Sequence, residues 1–293
     1  MENIEQKLQA AREFWLGSEG KSPLTVAAYE RDCRHFFTTL KTQNPTREDV
    51  ENWLKILSNQ NISPRSTARK LSSLRAFFAL ATTSGWVTKN PVTQVPRPKI
   101  GTSLPKALTL SQMKKLLEAT TGETPEKVRL RLMLQLIYAA GLRVSELVTL
   151  TLNHTTSAEE EGTLIITGKG GKTRIIPLGD VARNTLSHYL KTTRKTFSGH
   201  EKGDWIFPSP RGGPLSRQRV FQLLQSLGHS VDIKLAPHHL RHTFATHLLD
   251  NEADLRSVQV MLGHASLNTT QIYTKVAGTR TRTAMERFHP LAK

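Results

Sequence analysis

Six residues in four short stretches of this 293-residue chain are of types that together can work on a phosphodiester. Arg143 stands in "GLRVSEL" and Lys169 in "GKGGKT". His238 and Arg241 stand in "PHHLRHTFATHLL", and His264 and Tyr273 in "LGHASLNTTQIYT". A phenol oxygen can attack phosphorus and form a covalent phosphotyrosine. Two guanidiniums, each with forked donors, can neutralise the charge that builds on the non-bridging oxygens. An imidazole can take or share the phenol proton, and a lysine can protonate the departing 5′ oxygen. The set contains no pair of carboxylates to hold Mg²⁺, so it implies metal-free transesterification without a cofactor. Bond energy kept in the phosphotyrosine would let strands rejoin without ATP.

Each of these residues also has a plainer reading. Arg143 is surrounded by Leu142, Val144, Leu147 and Leu150 and needs an anionic partner, which is either Glu146 three residues on or a phosphate. Tyr273 is flanked by Gln271, Thr274 and Lys275, which is polar company for a core side chain. Tyr29, Tyr138 and Tyr189 lie in amphipathic stretches and fit a core better. His238 and His242 are four apart, a spacing open to zinc, but there is no H-E-x-x-H glutamate and no cysteine cluster. His242 and His247 read as packing or capping residues. "GKGGKT" resembles a nucleotide-binding loop, yet the spacing G-x-x-x-x-G-K-[ST] needs a glycine where Ile166 stands, and a strand rather than a helix follows. What remains is a glycine-rich turn carrying Lys169 and Lys172.

The elements that must position these residues can be read from caps, breakers and periodicity. "TLIIT" (163–167) and "TRIIPL" (173–178) predict a β-hairpin with "GKGGK" at its tip. Helices are predicted around 181–197, 217–227, 237–249, 254–262 and 269–275. Asp254 should cap one of these and Gly263 should end it in the left-handed region, aiming His264 out of the helix end. Gly141 should break the helix before Arg143. Upstream, "MENIEQKLQAAREFW", Ser22-Pro23, Thr46 with Asp49, and Ser63-Pro64 mark helix starts. In the last of these helices Leu71, Leu74, Phe78 and Ala81 share one face, while Arg65, Arg69, Ser72 and Ser73 fall mostly on another. "QVPRPKIGTSLPKAL" (94–108) reads as an extended linker. The expected architecture is therefore mainly α in two domains. An all-helical domain (1–93) is joined by a linker (94–107) to a mixed α+β domain (108–293) with one small antiparallel sheet.

Composition restricts the partner. Lys and Arg number 41 against 24 Asp and Glu, a formal net charge of +17. That excess points to a polyanion. No apolar run approaches a membrane span and no signal-peptide core is visible, so the membrane reading drops away. The single cysteine, Cys33, cannot form an internal disulfide, which fits a reducing cytoplasm. Arg65 and Arg69 are expected to track DNA phosphates. Ser216 should cap a helix that brings Arg217 and Arg219 to a groove or to phosphates.

The combination of "GLRVSEL", "GKGGK", "PHHLRHTFATHLL", "LGHASLNTTQIYT" and the end "ERFHPLAK" resembles the tyrosine recombinase (phage integrase) family, in particular its Xer subfamily. The likeness spans essentially the full length. It implies Arg143 and Arg241 as the catalytic arginines, Lys169 as the hairpin lysine, His238 and His264 as the catalytic histidines and Tyr273 as the nucleophile that becomes O-(3′-phospho-DNA)-tyrosine. His239 competes with His238, and only the three-residue spacing to Arg241 selects the latter. Lys172 is expected on DNA. The resemblance implies an N-terminal core-binding domain of SAM-like fold, with both domains clamping a duplex of inverted half-sites. Four protomers would exchange strands through a Holliday junction, as a homotetramer or with a second, XerC-like recombinase, and a DNA translocase is a further candidate partner. A tail helix near 277–288 is expected to dock on a neighbouring protomer. The function implied is chromosome dimer resolution at cell division, in the cytoplasm on the nucleoid. The alternatives are a mobile-element integrase of the same family, a type IB topoisomerase and a non-catalytic DNA-binding protein.

Overall fold

Local capping signals decide where most helices of the N-terminal part begin. In the computed structural model, which describes residues 4–42, 44–98, 107–156, 158, 161–168, 173–263, 285 and 287–290, the chain divides into two units, Met1–Ser103 and Leu104–Lys293. The first contains α1 (Ile4–Gly17), α2 (Pro23–Leu40), α3 (Arg47–Asn59) and α4 (Pro64–Thr83). The Ser22 side chain accepts from the Thr25 amide, Ser63 accepts from Ser66, and Thr46 and Asp49 close a reciprocal capping box. Each satisfies amides that the first helical turn cannot pair internally.

This unit has its own core, built on Trp15, Phe36, Trp53, Phe77 and Phe78, with Phe36 edge-on to Trp53 at 5.2 Å. Leu71, Leu74, Phe78 and Ala81 are buried, as their periodicity predicts. Ser73 departs from the expectation that it shares the basic face of α4. It is fully buried and donates to Asp32 Oδ2 at 2.8 Å. Asp32, itself buried in α2, also receives Arg69 through both terminal nitrogens and Lys70 at 3.3 Å. Val92 and Val95 are buried in the same core, so packing of the first unit continues to Val95.

The second unit comprises α5 (Leu110–Ala119), α6 (Pro125–Ala139), α7 (Val144–Val148), strands β1 (Thr163–Thr167) and β2 (Thr173–Pro177), α8 (Asp180–His188), α9 (Arg217–Ser230), α10 (Pro237–Asp250) and α11 (Leu255–Leu262). Helix α6 is its hub, with Leu132 through Ala140 all buried. A π-helical turn at Tyr189–Thr193 and a 3₁₀ turn at Arg194–Thr196 continue α8. Strands β1 and β2 pair antiparallel, with Ile165 opposite Ile175 and Ile166 opposite Arg174. This is the predicted hairpin, within a mainly helical fold. The helix expected over 269–275 lies outside the described residues, and the tail helix expected over 277–288 is described only at Met285, Arg287 and Phe288. Met285 is buried in the core of its own unit, and His289 packs at a tilt against Tyr138 with ring centroids 4.8 Å apart.

Candidate active site

Helix α6 ends at Ala139, and Gly141, at φ +59°, turns the chain into α7. A side chain at Gly141 would collide with Phe244, since a Cβ there would lie 2.6 Å from that ring. The turn makes Arg143 the N-cap residue of α7. The Arg143 amide donates to Glu146 Oε2 at 2.8 Å, and its guanidinium donates to Oε1 at 2.8 Å. Glu146 is therefore the partner that the apolar surroundings of Arg143 demanded, but it serves more than Arg143. Arg174, from β2, donates through Nη1 to Oε1 at 2.9 Å and through Nη2 to Oε2 at 2.7 Å. Arg241, from α10, brings Nη1 to 4.0 Å from Oε2.

The same three arginines meet a second feature, the C-terminal end of α11. Its last carbonyls have no intrahelical donors and carry the negative end of the helix dipole. Arg174 Nε donates to Met261 O at 2.8 Å, Arg241 Nη2 to Leu262 O, and Arg143 Nη2 to Gly263 O at 3.3 Å. Arg241 Nη1 also reaches Gly141 O. Asp254 caps the start of α11 through the amides of Arg256 and Ser257, and Gly263 ends it at φ +63°, both as predicted. Three consecutive carbonyls thus hold three arginines from three elements, and His264 is the next residue in the chain.

Among the described residues this cluster sets one carboxylate against three guanidiniums, an excess of positive charge suited to an anion. Burial acts to raise the Glu146 pKa, but the hydrogen bonds from Arg174 and Arg143 prevail and hold it down at about 2. Burial, and then repulsion from Arg143, lower Arg241 to about 10, so it stays charged at neutral pH. The arginines differ in access: the Arg174 side chain is 3% exposed, Arg241 15% and Arg143 39%. Arg143 and Arg241 can reach a ligand, whereas Arg174 is enclosed.

His238 lies exposed in the first turn of α10, three residues before Arg241. His239 has a partner of its own, with Nδ1 3.2 Å from Lys234 O. His242 is exposed, contrary to the expectation that it packs or caps, because its place on α10 turns away from the core. His247 does pack: it is buried, with Nδ1 2.8 Å from the Tyr138 hydroxyl and Nε2 2.8 Å from Leu108 O. Tyr138 and Tyr189 are core residues. Lys169, Lys172, His264 and Tyr273 lie outside the described residues. Of the expected DNA contacts, Arg217 and Arg219 are exposed in the first turn of α9 behind the Ser216 cap. On α4, Arg65 is exposed, and Arg69 is 45% exposed while paired with Asp32.

Sequence reasoning missed Arg174. An arginine in a short strand reads as solvent-facing, and the adjacent Ile175 and Ile176 leave the inward face undecided. The structure turns Arg174 and Ile176 inward and leaves Ile175 40% exposed.

A helical unit ahead of a second, mostly helical unit with one hairpin, and an arginine cluster suited to an anion, fit the DNA strand-transfer enzymes of the tyrosine type that the sequence resembles. The chain belongs to the phage integrase family, which it matches over residues 106–280, and it matches the N-terminal SAM-like domain of phage integrases over residues 13–85. It is 39% identical over 285 residues to the tyrosine recombinase XerD of Shewanella oneidensis, covering 95% of this chain and 94% of that one. The stretches "WIFPSP" and "SLPKALTLSQMKKLLEA" lean, as sequence, towards a XerD-type chain rather than a XerC-type one, in line with this relative. The XerH site-specific recombinase, in a post-cleavage complex on palindromic difH substrate, has the same fold at a TM-score of 0.68 and 22% identity, covering 97% of this chain and 84% of that one. Lambda integrase, as a tetramer bound to a Holliday junction, also shares the fold, at a TM-score of 0.69 and 19% identity with 93% and 81% coverage.

Proposed function

We propose that this recombinase cuts and rejoins DNA at a site of inverted half-sites through a 3′-phosphotyrosine on Tyr273 and serves in chromosome dimer resolution. Arg143 and Arg241 clamp the non-bridging oxygens of the scissile phosphate. His238 and His264 stand at the Tyr273 hydroxyl and the phosphate, and an imidazole of the pair takes the hydroxyl proton as the oxygen attacks. The Tyr273 oxygen bonds to phosphorus, the bond to the 5′ oxygen breaks, and the Lys169 ammonium gives that oxygen its proton. The reverse sequence, with a 5′ hydroxyl from the partner strand, reseals the DNA, and no metal or cofactor enters any step. Residues 1–93 form the core-binding domain, 94–107 the linker, whose first residues to Val95 still pack on that domain, and 108–293 the catalytic domain with its tail. Arg65, Arg69, Lys172, Arg217 and Arg219 contact the duplex. The working unit is a tetramer on paired sites, either of one chain or shared with a XerC-like recombinase, located on the cytoplasmic nucleoid, with a DNA translocase as a further candidate partner.

One observation carries this reading. Arg143 and Arg241, predicted from separate stretches of sequence, share one carboxylate and neighbouring carbonyls of one helix end. The test uses a nicked duplex built on the site that this protein selects from a randomised pool. The wild type should form a covalent adduct on it in EDTA, whereas Tyr273→Phe should bind it equally and form none. An adduct with Tyr273→Phe, or abolition by EDTA, would overturn the reading.

A further inference from the structure

We propose that Arg174 is a positioning residue that registers the Lys169-bearing hairpin onto the catalytic arginine cluster, so that acid delivery and phosphate clamping are set by one shared carboxylate. This rests on the proposed roles of Lys169, Arg143 and Arg241. Arg174 is the second residue of β2, five positions after Lys169. A two-stranded hairpin has little to hold its tilt, since among the described residues β1 and β2 pair only with each other. Its inner face is Leu164, Ile166, Arg174 and Ile176, all buried. Leu164, Ile166 and Ile176 supply non-directional burial, whereas Arg174 supplies directed bonds.

Arg174 uses its three nitrogens on two other elements. Nη1 and Nη2 take both oxygens of Glu146 on α7, and Nε takes Met261 O at the end of α11. A fork pinned at three points fixes both the distance and the rotation of the strand that carries it. Glu146 Oε1 is the oxygen shared with the Arg143 guanidinium. That shared oxygen sets the register of the hairpin against the clamp, while Arg143 and Arg241 keep the Gly263 and Leu262 carbonyls as partners of their own. Gly263 leaves room for this contact: a Cβ there would lie 3.2 Å from Arg174 Cδ and 3.3 Å from Nη1. Arg174 is enclosed while Arg143 and Arg241 are open, so it acts through the hairpin rather than on the substrate.

The test separates acid delivery from charge stabilisation. Arg174→Met and Arg174→Lys are compared with Lys169→Ala, Arg143→Lys and Arg241→Lys on two versions of the nicked duplex. One has an ordinary 5′-bridging oxygen and the other a 5′-bridging sulfur, which leaves as a thiolate and needs no proton. Misplacing the acid by about 1 Å should slow adduct formation on the oxygen substrate on the order of 10²-fold. Both Arg174 variants should then recover on the sulfur substrate, while Arg143→Lys and Arg241→Lys stay slow on both. If the Arg174 variants remain slow on sulfur while Lys169→Ala is rescued, the proposal is overturned and Arg174 serves the clamp or the fold instead. If they are rescued and Lys169→Ala is not, the Arg174 proposal holds and the acid on the hairpin is another residue, with Lys172 the first to test. If neither is rescued, both assignments fail. Should Arg174→Met not fold, Arg174→Lys keeps the cation and carries the comparison.

Discussion

Glu146 shows how one side chain can set the character of a site. Its carboxylate is buried yet fully ionised, because Arg174 and Arg143 supply four hydrogen bonds to its two oxygens. Replacing it with glutamine would leave the enclosed guanidinium of Arg174 without a counter-charge. Breaking a buried pair in this way typically costs about 3–5 kcal/mol. Glu146→Gln should therefore lower unfolding stability in urea by that order and slow adduct formation as well. A cost below about 1 kcal/mol, the range of an exposed pair, would mean that the cluster is held by the α11 carbonyls alone. The sequence showed Glu146 beside Arg143 because the two are three residues apart on one helical turn. It did not show Arg174, which reaches Glu146 from 28 residues downstream.

At the scale of elements, the site depends on short pieces that cannot hold themselves. Helix α7 has only five residues, well below the length at which an isolated helix persists. Its placement comes from Gly141, which ends α6 in the left-handed region and lets the backbone pass under Phe244 of α10. Gly141→Ala would meet both strain and overlap. The left-handed backbone alone costs about 1–2 kcal/mol with a Cβ, and overpacking adds about 1–3 kcal/mol. The variant should lose at least 2 kcal/mol or so in denaturant unfolding and impair DNA cleavage. A neutral effect would show that the α6–α7 turn tolerates rearrangement. Caps and breakers were legible because they act within four residues: Ser22, Thr46, Ser63, Ser216, Asp254 and Gly263 all behave as read. The inward face of β2 was not legible, because either isoleucine could have filled the core until Glu146 claimed Arg174.

At the scale of the whole molecule, two separate cores carry a chain with a formal charge of +17. The second core closes around a polar seam of His247, Tyr138 and His289, beside the buried Met285. Burial lowers the His289 pKa from 6.5 to about 4, outweighing its bond to Tyr138 O. The unfolded chain therefore binds that proton more readily. Stability is whole above pH about 6.5 and falls as the pH drops through about 4, a loss of about 3 kcal/mol at 1.36 kcal/mol per unit. Glu146 is depressed from 4.5 to about 2, so its contribution is present above about pH 4.5 and lost as the pH falls through about 2. Acid unfolding should show both windows, and His289→Gln should shrink the upper one, to which the buried His247 contributes in the same direction. An unchanged profile in that variant would mean that the burial of His289 does not set that window.

The sequence by itself determined the family, most of the capped helix starts and the hairpin, and it singled out Arg143 and Arg241. Those features are written in residue types, in spacings of a few positions and in motifs that survive without neighbours in space. Only the tertiary structure decided that one glutamate and one helix end gather three arginines, that Ser73 and Asp32 bury a polar contact inside the first core, and that Arg174 faces inward. Those outcomes depend on which distant groups share a desolvated space, where a buried charge must find its partner wherever the chain has put it.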